Sequence, residues 1–387
     1  MHPETTTRRI MIVAGEASGD MHGANLVKAM SRIDPALRFY GIGGKRLKEA
    51  GVELMADSAK MAVVGLTEVF FKLRFILKVM GQLKKSLREI KPDLVILIDY
   101  PDFNLALAKT AKKRGFRVFY YISPQVWAWR KGRIGKIRRV VDKMAVILPF
   151  EARLYEESGF DVTFVGHPLL DLVKTKYSRE EARRKFGLQE GKTTVGILPG
   201  SRPSEVVKLL PEMLKTAGIL QEKLASVQFI LPVADTLAMD FVSRITRQYP
   251  VEVRLICQDT YEAISSADIV MVASGTATLE TALLRTPMVI VYKVSALTYY
   301  MGNIFVKVDN IGLVNIISGK TIVPELIQEE ASPERIAAEI MDILTDRARM
   351  NNIKEELSKI REKLGNPGAA ERAARLAYGM IEGKAGG

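Results

Sequence analysis

The sequence predicts an α/β fold of two doubly wound, Rossmann-like domains facing each other across a cleft. Three observations carry that expectation: short uninterrupted apolar runs such as DLVILID and DIVMVAS, amphipathic helical patterns between them, and a restart of the same alternation halfway along the 387 residues. A strand buried on both faces reads as a continuous apolar run, and the helices between such runs are the crossovers of a parallel sheet. The first half runs RRIMIVAGE, a helix over 19–31, RFYGIGG, a helix in KRLKEAG, DLVILID, a helix over 103–114, RVFYYIS, KMAVILP and VTFVG. A polar stretch, KTKYSREEARRKFGLQEGK, follows, and the linker is expected over 171–192. The second half reads TTVGILPG, a long helix from 204, VQFILPVA, a helix over 236–248, VEVRLIC, DIVMVAS and PMVIVYK. From Pro333 the pattern is helical only, broken at Asn366-Pro367-Gly368 and closed by a helix over 369–382. The expected domains are 1–175 and 190–362.

Hydrophobic residues make up 48%, charged residues 26% and aromatics 7%, which excludes a disordered or fibrous chain. The single cysteine, Cys257, excludes an intrachain disulfide and a cysteine-based zinc site, and fits a reducing cytosol. The apolar stretch IMIVA before Gly15 is too short for a signal-peptide core. Residues 61–83 carry Glu68, Lys72, Arg74 and Lys78, so no transmembrane span is expected. The net charge of +13 is unevenly placed: residues 1–180 hold 32 Lys and Arg against 19 Asp and Glu, and residues 181–387 hold 25 of each. The basic first half favours nucleic acid, anionic lipid or phosphorylated substrates, and charge alone does not choose among them.

In a doubly wound fold the chemistry lies in loops after the strands. The first, Gly15-Glu16-Ala17-Ser18-Gly19-Asp20, permits close backbone approach, and Ser18 and Asp20 suit a helix cap. Its N–H groups also suit an anion or a sugar hydroxyl, so cap and ligand loop both stand. It is neither a GxGxxG nor a P-loop. After DLVILID, Asp99 ends an apolar strand where a carboxylate can serve as general base. Asp102 or Asn104, beside the following helix, suits an N-cap, and no histidine or third acid nearby supports a metal site. Ser123–Arg130 contains both tryptophans, including Trp127, and precedes KGRIGKIRR; the run could stack bases, lie on lipid phosphates or form a solvated face. In the second half, Gly200, Ser201 and Arg202 open a helix with backbone, hydroxyl and cation suited to a diphosphate. A second such turn holds Ser274, Gly275, Thr276 and Ala277, with Glu280 one turn inside as either a ribose-diol acceptor or a first-turn helix charge. His22 and His167 are far apart in sequence and support no metal.

GEASGD, IDYPDFN, SPQVWAWR, VGHPL, LPGSR and ASGTATLE occur in the order and spacing of the lipid-A-disaccharide synthases, which the sequence resembles over nearly its whole length. The resemblance implies the glycosyltransferase B architecture, a sugar nucleotide held mainly by the C-terminal domain, and a last helix (367–383) packing back on the N-terminal domain. In that family the tail can be exchanged between the protomers of a homodimer, and the helical C-terminus here is compatible with either arrangement. The implied reaction transfers 2,3-diacylglucosamine from UDP-2,3-diacylglucosamine to 2,3-diacylglucosamine 1-phosphate with inversion, giving a β-1,6-linked disaccharide and UDP. On this reading Asp99 is the base and Arg202 stabilises the departing UDP. Gly200, Ser201, Ser274, Gly275, Thr276, Ala277, Glu280 and Asn315 (in GLVNIISGK) complete the donor site, with Glu280 on the ribose. Ser18, Gly19, Asp20, Asn104, Trp127 and Arg130 are the acceptor-side candidates. No cofactor, metal or nucleic acid is implied, and the expected location is the cytoplasmic face of the inner membrane. Within 69–88, Val69, Ile76, Met80, Leu83 and Leu87 form one helical stripe, with Arg74, Lys78, Lys85 and Arg88 opposite. Phe70, Phe71 and Leu77 fall outside that stripe; with Arg74 and Lys78 they suit either packing under a neighbouring loop or a segment dipping into anionic lipid, and the acylated substrates that the resemblance implies favour the second. Another UDP-sugar transferase or a UDP-N-acetylglucosamine epimerase could share the donor loops; a nucleic-acid-binding module would leave Arg202 and Glu280 unused.

Overall fold

The computed structural model describes residues 7–58, 69–124, 133–293 and 310–383. Seven of its strands form one sheet: β1 (Arg9–Ala14), β2 (Arg38–Gly43), β3 (Val52–Asp57), β4 (Leu94–Ile98), β5 (Val118–Tyr121), β6 (Lys143–Val146) and β7 (Val162–Phe164). Their order is β3-β2-β1-β4-β5-β6-β7 and every pair is parallel. The second half repeats the design with β8 (Thr193–Leu198), β9 (Val227–Val233), β10 (Val253–Cys257), β11 (Ile269–Ala273), β12 (Met288–Tyr292) and β13 (Glu325–Ile327). These run β10-β9-β8-β11-β12-β13, again all parallel. Both sheets are covered on two faces, as the apolar runs require. Val95 and Leu97 of β4 pack with Leu83, Leu87 and Leu107 on one side, while Ile98 approaches Gly19 and Gly23 of the helix Ala17–Ile33 on the other.

β3 and β13 are strands that the apolar-run pattern misses, and both lie at sheet margins. An edge strand has one neighbour, so it can carry acids such as Glu53 and Asp57, and its exposure pattern is mixed.

The chain divides into two compact units, Met1–Pro168 with Gly365–Gly387, and Leu169–Leu364. Most of the stretch read as a linker is ordered within the second unit. Its helix Arg179–Lys185 begins with a reciprocal cap in which Ser178 Oγ accepts from the Glu181 amide (3.3 Å) and the Glu181 carboxylate accepts from the Ser178 amide (2.8 Å). That helix packs on the helix Thr260–Ser266, and Arg179 pairs with Asp268 at 2.5 Å.

The C-terminal helix Ala369–Glu382 packs on the Ala17 helix of the first unit. Its buried stripe of Ala370, Ala373, Ala374, Ala377 and Ile381 has the spacing of one helical face and lets the two backbones approach closely. Arg372 ties it down through Nε to the Val165 carbonyl (2.9 Å), and Arg117 donates to the carbonyls of Met380 and Gly383.

In each sheet the strand order reverses at one point, between β1 and β4 and between β8 and β11. Loops leaving the carboxyl ends of strands at such a reversal are where open α/β sheets bind ligands. Those loops carry Gly15–Asp20 and Asp99–Asn104 in the first unit, and Gly200–Glu205 and Ser274–Glu280 in the second.

Candidate active site

In the first unit, Asp99 (φ 46°) and Tyr100 (φ 49°) leave β4 in the left-handed region, a conformation that non-glycine residues adopt at a cost. Tyr100 occupies the N-cap position of the helix Pro101–Lys113, with Pro101 at its first position. Neither Asp102 nor Asn104 is the cap. Asn104 is fully buried, and its Nδ2 donates to the carbonyls of Asp99 (2.7 Å) and Ile98 (3.1 Å). Through Nδ2 it therefore shapes the Asp99 backbone. Asp102 has 83% of its side chain exposed and pairs with Arg133 at 2.6 Å. Tyr120, which the sequence reading did not single out, donates its hydroxyl to the Asp99 carbonyl at 2.6 Å. The two loops at this reversal touch: a Cβ on Gly15 would lie 2.3 Å from Cγ of the Tyr100 ring. Only glycine lets the ring lie there. Burial, and then the charge of Glu16, push the Tyr100 hydroxyl up.

Of Ser18, Gly19 and Asp20, only Ser18 is exposed. Gly19 packs toward Ala14 and Ile98. Asp20 does not cap its own helix: its carboxylate accepts from the amides of Gly44 (2.6 Å), Arg46 (3.0 Å) and Leu47 (3.1 Å), capping the helix Lys45–Glu49. Asp20 thus ties the start of that helix to its own. Trp127 and Arg130 lie outside the described residues. His22 and His167, distant in sequence, are brought into electrostatic contact, and both are buried. Burial holds His22 at about 4; burial, and then His22, hold His167 at about 3.

In the second unit Gly200 is left-handed (φ 111°), and a Cβ there would lie 2.4 Å from the Glu205 carboxylate. That carboxylate accepts from the amides of Ser201 (3.2 Å) and Arg202 (3.3 Å) and from the Arg202 guanidinium (3.3 Å). The backbone donors read as open to a diphosphate are therefore engaged by an acid of the helix Pro203–Lys223 itself. Glu205 was visible only as a glutamate three residues after the cap position, the spacing of a capping box. The Arg202 side chain is 64% exposed, and the Ser201 carbonyl accepts from Thr236 Oγ at 2.6 Å.

At the neighbouring loop, Gly275 and Thr276 are exposed, Ala277 is half-buried, and a Cβ on Gly275 would meet nothing within 4 Å. Ser274 Oγ donates to the Ile311 carbonyl at 3.3 Å. Glu280 accepts from the Tyr261 hydroxyl at 3.1 Å, and burial raises its carboxyl against that bond. Asn315 departs from its expected role. It is fully buried, its amide donates to the Val323 carbonyl (2.9 Å) and the Glu325 carboxylate (2.7 Å), and its oxygen accepts from the amides of Ile322 and Val323. All four of its hydrogen-bonding positions are used within the protein, so none is left for a nucleotide. Glu325 also accepts from the amides of Ile311 and Gly312, so Asn315 stiffens the segment on which Ser274 rests.

On the helix Val69–Ile90, Met80, Leu83 and Leu87 are buried and Ile76 half-buried, while Arg74, Leu77 and Lys78 share an exposed face. Leu77 is 61% exposed. The side chains of Phe70 and Phe71 lie outside the described residues. Among the described residues no helix is long and apolar enough to cross a membrane, and no group of three His, Cys, Asp or Glu could hold a metal.

Comparison with known proteins identifies the lineage of these loops. The sequence profile described as Lipid-A-disaccharide synthetase matches residues 10–378. A lipid-A-disaccharide synthase of Syntrophus aciditrophicus is 61% identical over 377 residues, covering 97% of this chain and 98% of that protein. Another, from Geobacter sulfurreducens, is 48% identical over 378 residues, covering 98% of each. Among solved structures, Acinetobacter baumannii MurG is 15% identical with a TM-score of 0.58 over 96% of this chain and 99% of that one. A UDP-GlcNAc 2-epimerase from Neisseria meningitidis bound to UDP-GlcNAc is 12% identical, with a TM-score of 0.60 over 97% and 100%. At such identities the likeness shows the fold alone, that of the glycosyltransferase B type. The match along almost the entire sequence shows more than fold, and by it the chain belongs to the lipid-A-disaccharide synthetase family.

Proposed function

We propose that this enzyme is an inverting hexosyltransferase that moves a 2,3-diacylglucosamine unit from UDP to the 6-hydroxyl of 2,3-diacylglucosamine 1-phosphate. The observation that carries the reading is the 61% identity to a lipid-A-disaccharide synthase over 97% of the chain, whereas the epimerase shares the fold at 12%. Inversion requires one in-line displacement. Asp99 takes the proton of the acceptor hydroxyl as its oxygen bonds to the anomeric carbon, and the bond from that carbon to the diphosphate breaks. Arg202 and the helix start after Gly275 stabilise the charge that develops on the departing UDP. Glu280 accepts from the ribose diol. The decisive experiment supplies both lipid sugars and looks for UDP and disaccharide phosphate in equal amounts, with and without EDTA. Formation of neither product, or dependence on an added divalent ion, contradicts this reading.

Arg202→Ala is expected to lower kcat/KM by roughly a hundredfold, as for removal of a donor facing a departing anion. Lysine restores part of that loss, since it keeps the charge but not the planar fork. Steady-state kinetics on the two variants checks both statements.

The exposed Arg74–Leu77–Lys78 face suits docking on anionic lipid at the cytoplasmic side of the inner membrane, where multiply acylated substrates reside. Each basic residue adds about 1 kcal/mol near such a surface. The protein should sediment with anionic vesicles at low salt and leave them at high salt. Phe70→Ser with Leu77→Ser should weaken that binding while the fold persists; unfolding, or parent-like binding, would assign these side chains to the core. Exchange of the C-terminal helix between two copies is open to sedimentation analysis.

A further inference from the structure

Two consecutive left-handed residues, neither of them glycine, persist only where their surroundings over-determine them. At Asp99 the surroundings are specific. Its carbonyl accepts from Tyr120 Oη at 2.6 Å and from Asn104 Nδ2 at 2.7 Å, and both donors are fully buried. Tyr120 stands on β5, opposite Leu97 of β4, so the hydroxyl reaches past the end of its neighbour strand to the first residue beyond it. Asn104 comes from the next helix and also holds the Ile98 carbonyl at 3.1 Å. The helix start makes its own first-turn bond, Asn104 amide to Tyr100 carbonyl at 3.1 Å, and so does not need the phenol for its backbone. Burial, and then the neighbouring Asp99 charge, push the Tyr120 hydroxyl well up, so it remains a donor at any working pH.

We infer that Tyr120 is a positioning residue for the glycosyl transfer: its hydroxyl, with Asn104 as a second tie, fixes the Asp99 peptide plane and with it the bearing of the Cα–Cβ bond that aims the carboxylate. The inference rests on the reading of Asp99 as the base. A base set in place by rigid ties from a neighbouring strand and helix needs no reorganisation when the acceptor hydroxyl arrives.

Tyr120→Phe removes one oxygen and leaves the ring packing. It is expected to lower kcat by roughly 10- to 100-fold, the scale of a base displaced by a fraction of an ångström. KM for the donor and the affinity for UDP should stay within about twofold, because no ground-state contact is lost. The same substitution made on Asp99→Asn should change the residual turnover by less than about twofold, since residues acting through one another are not additive. An equal loss in both backgrounds, or no loss in the parent, overturns the role, because the phenol then acts independently of Asp99. Full turnover in Asp99→Asn alone would instead defeat the reading of Asp99 as base and this role with it. Should Tyr120→Phe melt below the assay temperature, Asn104→Ser enters the same cycle with the same expected pattern and the same grounds for rejection.

Discussion

Asp99→Asn is expected to lower turnover by roughly two to four powers of ten, the contribution of a well-placed general base. The substitution is nearly isosteric, and the hydrogen bonds from Tyr120 and Asn104 end on the backbone carbonyl of this residue. The left-handed turn should therefore survive, and the melting temperature and UDP affinity should match the parent. What is lost is basicity: an amide cannot take the proton of the acceptor hydroxyl, so the cost falls on kcat and kcat/KM together. Single-turnover formation of the disaccharide, alongside calorimetric titration with UDP, separates the two. Near-normal turnover would move the proton to another group. Asp102 is poorly suited to that part, being largely exposed and paired with Arg133.

Acidification to pH 5 should cost this fold about 4 kcal/mol through His22 and His167 alone. Both are buried and held neutral, at about 4 and about 3, against an ordinary value of 6.5. The sign follows from proton counting. Between pH 6.5 and 4 the unfolded chain binds a proton on each histidine and the folded chain does not, so protons favour unfolding. Stability from this source is complete above pH 6.5 and is lost progressively as pH falls toward the folded values. At pH 5 each ring contributes about 2 kcal/mol of that loss, since one pH unit is worth about 1.4 kcal/mol per proton. Denaturant unfolding at pH 7.5 and pH 5 measures the total, and His167→Gln or His22→Gln should each remove about half of the histidine share. A pH dependence identical in the parent and both variants would mean that these rings titrate normally in the native state.

Neither expectation could be written from the same depth of sequence. Asp99 is legible because it interrupts an apolar run at a strand's carboxyl end, and the motifs around it keep their order. The histidine pair is not legible, because its two members are 145 positions apart, one on the Ala17 helix and one in the loop after β7, and only the fold of the first unit brings them within electrostatic reach. The same division runs through the remaining loops. Gly200 and Gly275 mark loops whose use of glycine is local, Gly15 is required by the distant ring of Tyr100, and the structure places all three at the strand-order reversals. Asp20, Glu205 and Asn315 were read as open or were passed over, yet each spends its polar atoms on the protein's own backbone or side chains, and Asn104 spends its Nδ2 on two backbone carbonyls.

By itself the sequence determined that the chain folds as two parallel α/β sheets with glycine-bearing loops after their strands. Periodicity and strand-end chemistry are properties of neighbours in the chain, and they survive in one dimension. Only the tertiary structure decided which polar groups in those loops are already satisfied within the protein. A buried amide or carboxylate must be paired, and its partner can come from any segment that packing brings within about 3 Å. Asp20 finds its donors 24 to 27 residues away, and Tyr120 reaches back 21 residues to the backbone of Asp99; neither distance leaves a periodic mark in the sequence.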